Sequence, residues 1–196
     1  MFRRLTPTAL LLPIICFVSF YAAAQQQQPA PPAERKEVGF RLKALDGKTY
    51  DTAATNGEVW VVSFGATWCT PCTWELVAVE ELKEEYAGKP VRFLWISIED
   101  EKRASNNILK HYAKERRLTI PVLRDGDGAV LAQFTTSTRI PVVAFFGPDG
   151  KYDAPAHRGM SQDIADYKQL VRRRVDALLK AAKGAGVTTA GGAGAH

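Results

Sequence analysis

The chain has 196 residues, 46% of them hydrophobic and 24% charged, and only three cysteines. That excludes a disulfide-stapled mini-protein, a disordered chain and a polytopic membrane protein, and it points to one domain with a sizeable core. Lys and Arg number 26 against 21 Asp and Glu, a formal charge of +5 that becomes +3 without Arg3 and Arg4, too mild for a nucleic-acid partner.

Residues 1–24 have the form of a signal peptide. Arg3 and Arg4 make a basic start, Ala9 to Tyr21 an uncharged and mostly apolar run, and Ala22-Ala23-Ala24 a small-residue cleavage site. The alternative is an uncleaved membrane anchor, which needs about 20 apolar residues, and Pro7, Pro13 and Ser19 interrupt this run. Cys16 sits within it without a small-residue cleavage site in front, so it is expected to leave with the signal. The expected location is the periplasm or another extracytoplasmic space, with membrane contact only if residues 5–24 stay attached. Residues 25–37 (QQQQPAPPAERKE) have nothing to bury and read as a flexible linker.

A domain is expected over 38–183. Phe40, Leu42, Leu45, Asp46-Gly47, Thr49 and Tyr50 spell a short hairpin with a type I′ turn. Val59 to Phe64 (VWVVSF) is a β-branched apolar run of strand length, the pattern of a strand covered on both faces. After the two remaining cysteines, Leu76, Val79, Leu82 and Tyr86 recur at helical steps and Gly88 closes the segment. Pro71 then falls in a first helical turn, where its missing N–H costs nothing. Val91 to Ile98 is a second buried strand, so strand, helix and strand form a βαβ unit with a parallel pair.

Lys102 to Arg117 predicts a helix carrying Ile108, Leu109 and Tyr112, and Pro121 to Leu123 a short extended piece. Asp125-Gly126-Asp127-Gly128 is a turn; Ala129 and Val130 stand where a calcium loop needs a ligand and a glycine. Val142 to Phe146 is a strand, Pro148-Asp149-Gly150 a turn, and Lys151-Tyr152 opens an antiparallel partner. Ile164 to Ala182 is a closing helix with Ile164, Tyr167, Leu170, Val171, Leu178 and Leu179 towards one side. Residues 184–196 read as a disordered tail.

Cys69 and Cys72 are the informative pair. Cys-x-x-Cys serves as half a zinc site, as a structural disulfide or as a redox dithiol. Zinc wants four ligands, and the mature chain offers no second cysteine pair and only His111, His157 and His196, so no metal or other cofactor is expected. A structural disulfide around so short a loop removes little unfolded-state entropy. The redox dithiol therefore leads. A cysteine at a helix start is stabilised as thiolate by unpaired N–H groups and the helix dipole, and the thiolate is the attacking species. Cys69 is the candidate nucleophile and Cys72 the resolving thiol. Thr70 and Pro71 between them bring no cation, so the expected potential lies nearer thioredoxin, at about −270 mV, than DsbA, at about −120 mV.

A strand, Ala66-Thr67-Trp68-Cys69-Thr70-Pro71-Cys72, a helix, and a later Ile140-Pro141 before an apolar strand resemble the thioredoxin superfamily. The leading hairpin, the long segment from Ile98 to Ile140, and Glu75 three residues beyond Cys72 resemble more narrowly the TlpA/ResA/DsbE-like exported thiol-disulfide oxidoreductases. The resemblance implies an α/β, three-layer thioredoxin-like fold, a central mixed sheet flanked by helices with an N-terminal β-hairpin. It further implies a cis bond at Pro141, where sequence alone favours trans, with the preceding backbone at Ile140 pairing an extended substrate. Trp68, Thr70, Pro71, Ile140 and Pro141 are thus the candidate substrate contacts.

Glu75 is a candidate proton relay for Cys72, against the plainer reading of a first-turn glutamate favoured by the helix dipole. Two positions depart from the family pattern. Ser63 stands where thioredoxin has a buried acid, leaving Glu75 as the nearby carboxylate. Gly65 stands where a bulky aromatic is common, and Trp74 either fills that space or presents an apolar surface, with core packing the default.

The expected function is a thiol-disulfide oxidoreductase that reduces disulfides in exported proteins through a mixed disulfide, apocytochrome c among them. Its partners would be those substrates and an unidentified thiol electron donor. The alternative is a non-catalytic thioredoxin-fold binding or metal-handling module.

Overall fold

The computed structural model describes residues 35–36, 38–161 and 163–190, with side chains over 38–161 and 163–184. The expected signal peptide and most of the linker lie outside the described residues. The fold is built around β4 (Val59–Gly65), whose seven residues are all buried. Its run of β-branched and aromatic side chains suits a central strand, because both faces of the pleat meet apolar neighbours.

Around it lies a six-stranded sheet in the order β1-β8-β7-β4-β5-β6, comprising β1 (Arg35–Lys36), β5 (Val91–Ser97), β6 (Val122–Arg124), β7 (Val142–Phe146) and β8 (Tyr152–Arg158). β4 pairs parallel with β5, from Val59 opposite Val91 to Gly65 opposite Ser97, and β5 pairs parallel with β6. β7 runs antiparallel to β4 and β8 antiparallel to β7. The sheet is mixed and helix-flanked, as the resemblance implies. Among the described residues no helix is long and apolar enough to cross a membrane.

Side-chain alternation along β4 sorts the interior into two layers. Val59 and Val61 face a layer filled by α1 (Thr70–Glu85), α2 (Asn106–Glu115) and α3 (Ile164–Ala190), through Leu76, Leu82, Leu109, Tyr112, Val171 and Val175. Trp60, Val62 and Phe64 face the second layer, closed by the hairpin of β2 (Arg41–Lys43) and β3 (Thr49–Asp51) and by a 3₁₀ turn at Leu131–Gln133. Each fully buried side chain of valine, leucine or phenylalanine size is worth about 1.5–3 kcal/mol relative to exposure.

Four local expectations are corrected. The hairpin turn is not type I′, which needs positive φ at both central residues. Gly47 alone takes positive φ, at 90°, its N–H donates to the Ala44 carbonyl, and the Ala44 N–H donates to the Lys48 carbonyl. A three-residue loop with a glycine bulge results, and it spares Asp46 the left-handed region. Arg35–Lys36, expected in the linker, adds a strand to the β8 edge, because edge pairing uses only main-chain groups. The helix expected over Lys102 to Arg117 is shorter, α2 running only from Asn106 to Glu115 with the Ser105 hydroxyl accepting from the Ile108 N–H at its start, and of its apolar residues Leu109 and Tyr112 are buried and Ile108 is 49% exposed. α3 continues to Ala190, past the expected end of the domain at Lys183, through a stretch that contains no proline to stop it.

Candidate active site

The two sulfurs lie where β4 hands the chain to α1. Cys69 and Cys72 form a disulfide with Cα atoms 5.2 Å apart. Cys69 is the N-cap of α1, in extended backbone conformation, and its sulfur accepts from the Cys72 N–H at 3.2 Å. An unpaired helix-start donor is thus aimed at Cys69, the arrangement that stabilises a thiolate. Pro71 sits in the first turn without forfeiting a helical bond. Thr70 and Pro71 are exposed, whereas Cys69 is 5% exposed and Cys72 not at all. Both cysteines are thus buried, and of the two only Cys69 keeps any residual exposure.

The entry to the helix is pinned by a residue that sequence reading passed over. Glu99, buried just beyond β5, accepts from the Thr67 N–H at 2.7 Å, the Thr67 hydroxyl at 2.9 Å and the Ser97 hydroxyl at 3.2 Å. Its carboxylate ties the turn before Trp68 to the neighbouring strand. Trp68 itself is 63% exposed and borders a groove of about 550 Å³ that runs past Ile98, Leu131 and Thr135. Ile140-Pro141 approaches from the other side. Its peptide bond is cis, the Ile140 carbonyl oxygen lies 3.9 Å from Cys69 Sγ, and Ile140 packs against the two cysteines. A second cis bond, Ala154-Pro155, lies in β8.

Glu75 is buried on the sheet side of α1 at 1% exposure. The Ser63 hydroxyl donates to Oε2 at 2.6 Å and the Tyr167 hydroxyl to Oε1 at 2.7 Å. Burial pushes the carboxyl up to about 7, against the opposing pull of the two hydroxyls. Tyr167 is pushed well above its ordinary value by burial and by the carboxylate beside it. The buried carboxylate therefore arrives from the helix, and Ser63 serves as its partner rather than as a gap. The sequence pattern places Tyr167 in the apolar stripe of α3, and its buried hydroxyl finds the partner it needs in Glu75.

Trp74 is half-exposed, so core packing does not describe it. The space at Gly65 is taken from the adjacent strand instead: a Cβ there would lie 2.9 Å from Trp95 Nε1, 3.2 Å from Cys72 Cβ and 3.3 Å from Cys72 Sγ. Only glycine admits both the indole and the cysteine at this point.

A thioredoxin-like sheet with a Cys-x-x-Cys pair at the head of its first helix defines a thiol-disulfide oxidoreductase of the thioredoxin class. The chain belongs to the Redoxin family, which it matches over residues 25–169. It is 24% identical over 152 residues to sporulation thiol-disulfide oxidoreductase A of Bacillus subtilis, covering 77% of this chain and 87% of the relative. To the thiol-disulfide oxidoreductase ResA of Oceanobacillus iheyensis it is 25% identical over 134 residues, 68% of this chain and 66% of the other. In fold it is similar to a Chlorobium tepidum protein assigned as a thiol:disulfide interchange protein DsbE, with a TM-score of 0.63, 20% identity, and 75% and 97% of the two chains covered.

Proposed function

We propose that the protein is an extracytoplasmic reductase of disulfides in exported proteins, apocytochrome c among the candidate substrates. The observation that carries this reading is the disulfide at the head of α1, with Cys69 as the N-cap accepting from the Cys72 N–H and keeping the small exposure that Cys72 lacks. The names of the relatives, thiol-disulfide oxidoreductases among them, support the same direction. The domain would be 38–183 or slightly longer, delivered by residues 1–24 as a cleaved signal or a retained anchor and spaced by the linker.

In the reduced protein the Cys69 thiolate attacks one sulfur of the substrate disulfide. The substrate S–S bond breaks, its other sulfur leaves as a thiolate and takes up a proton, and a Cys69–substrate mixed disulfide forms. Cys72 gives its proton to the Glu75 relay and attacks Cys69 Sγ. The bond from Cys69 to the substrate breaks, and the second substrate sulfur leaves and is protonated. Two electrons have passed to the substrate with two protons, one drawn from solvent and one that left Cys72 by way of Glu75, and the Cys69–Cys72 disulfide remains. A thiol donor resets it by attacking Cys69, the cysteine that keeps some exposure. Substrate would lie across Trp68, Thr70 and Pro71 and pair with the backbone at Ile140-Pro141, its flanking side chains reaching the groove beside Trp68.

The test is a Cys72→Ala variant expressed in the native compartment. It removes the resolving step, so substrates accumulate as mixed disulfides on Cys69 and are released by a reductant. Exported cysteine-bearing proteins in the trapped set are the expected result. The alternative, a non-catalytic binding or metal-handling module, predicts no trapped adducts and slow, stoichiometric thiol chemistry.

A further inference from the structure

The indole of Trp95 presents a buried donor without an acceptor. Trp95 is fully buried, and its Nε1 has no hydrogen-bond partner among the described residues. An unpaired buried N–H forfeits its bond to water without replacement, and native interiors rarely leave one without a reason. Nor is the ring free to turn away: Tyr112 stacks on it with centroids 5.4 Å apart, and the Tyr112 hydroxyl is itself 3.3 Å from Thr73 Oγ1 on α1.

The direction in which this donor points is set by Gly65. One methyl-sized position above that glycine is 2.9 Å from Trp95 Nε1 and 3.3 Å from Cys72 Sγ, so donor and sulfur border the same small gap. In the disulfide, Cys72 Sγ is bonded to Cys69 and is a poor acceptor. Two-electron reduction with uptake of two protons breaks that bond and leaves Cys72 with a sulfur of its own, and deprotonation for the resolving attack puts a full negative charge on it in a sealed, apolar place. A charged acceptor there needs a donor far more than the disulfide does.

We propose that the Trp95 indole N–H is the hydrogen-bond donor to the Cys72 sulfur in the reduced protein, a device that stabilises the resolving thiolate and that Gly65 makes room for. This rests on the reading of Cys72 as the resolving thiol. The donor is unpaired in the oxidised form and paired in the reduced form, so the site favours the open dithiol by the difference. Glu75, a turn further along α1, is the titratable group buried on the same side of the helix, and it brings an acceptor where Trp95 brings a donor.

The test reads Cys72 directly. In a Cys69→Ala background, which leaves Cys72 as the domain's single thiol, Trp95→Phe keeps an aromatic ring and deletes the N–H. The expected result is a rise in the Cys72 pKa equivalent to an about three- to tenfold loss of thiolate at fixed pH, persisting when Glu75→Gln is added. A second measurement needs no variant: in the wild-type protein the Trp95 indole proton, assigned by its contact with the Tyr112 ring, is followed by NMR in both redox states. Reduction should move it downfield and slow its exchange with solvent. An unchanged Cys72 pKa in the folded Trp95→Phe protein, or an indole resonance identical in the two states, overturns the proposal. Insulin reduction retained by Cys69→Ala would instead overturn the dithiol reading, so the two failures are told apart.

Discussion

The two faces of one sheet are built by different rules. Beneath the hairpin, Phe40, Phe134, Phe146 and Tyr152 make edge-on and tilted ring contacts with centroids 5.0 to 5.9 Å apart, and the layer holds itself by apolar area. Beneath the helices, near the dithiol, the same sheet buries Ser63, Glu75 and the Tyr167 hydroxyl, and leaves a tryptophan N–H unpaired. A polar cluster in an interior is costly unless fully hydrogen-bonded. On the hairpin side the buried polar groups Thr52 and Asp125 tie down backbone at Phe40, Val130 and Leu131, whereas at the sulfur end a buried carboxyl is held by two hydroxyls.

The largest expected effect sharpens that contrast. Phe146→Ala opens a cavity in the aromatic layer and should cost about 3–5 kcal/mol in urea unfolding, with the thiol chemistry of the remaining folded protein unchanged. A change in Cys69 reactivity would show that the two layers are not separable.

Next is the pH dependence from Glu75. Its folded value, near 7, exceeds the ordinary value of 4.5, so the protonated form is favoured in the folded state. The contribution is fully present below about 4.5 and is lost as pH rises to about 7, a decline of about 3 kcal/mol. Glu75→Gln should remove that slope when unfolding is measured at both ends of the window. As a proton relay, Glu75 should also make the rate of the resolving step rise through pH 7, and the Gln variant should abolish the rise.

Tyr167→Phe should act more mildly. It leaves Oε1 of Glu75 without its hydroxyl donor, costs about 1–3 kcal/mol, and moves the Glu75 titration further up, because a bond that favours the charged form is gone. Resolving-step rates against pH would show this as a shift of the profile to higher pH. The smallest effect is expected at the helix surface. Arg172 and Glu85 pair at 2.8 Å between α3 and α1, and because solvent screens so exposed a pair, Arg172→Ala should change the unfolding midpoint little, with no change in the pH profile of the dithiol.

The central strands were legible because their environment is uniform. β7 occupies Val142–Phe146 as expected, and β4 and β5 differ from the expected runs by one residue at an end, since strands buried on both faces write themselves as unbroken apolar sequence. The dithiol and its helix were equally plain from Cys-x-x-Cys and a 3.6-residue period. What was not legible depends on contacts between distant parts of the chain. Tyr167 meets Glu75 across 92 positions, and nothing local separates its hydroxyl from the apolar stripe it sits in. Nothing in the apolar run of β5 sets Trp95 apart, and its close approach to Cys72 becomes visible only through Gly65 on the next strand. Arg35–Lys36 failed for the opposite reason: an edge strand of two charged residues pairs through main-chain groups that no side-chain pattern records.

The most direct measurement is insulin disulfide reduction, driven by dithiothreitol and compared between the wild-type domain and its Cys69→Ala, Cys72→Ala double variant. The account predicts wild-type acceleration over the dithiothreitol background and none above it for the variant. A variant that accelerates the reaction as well as the wild type would contradict the claim that this sulfur pair is the working centre.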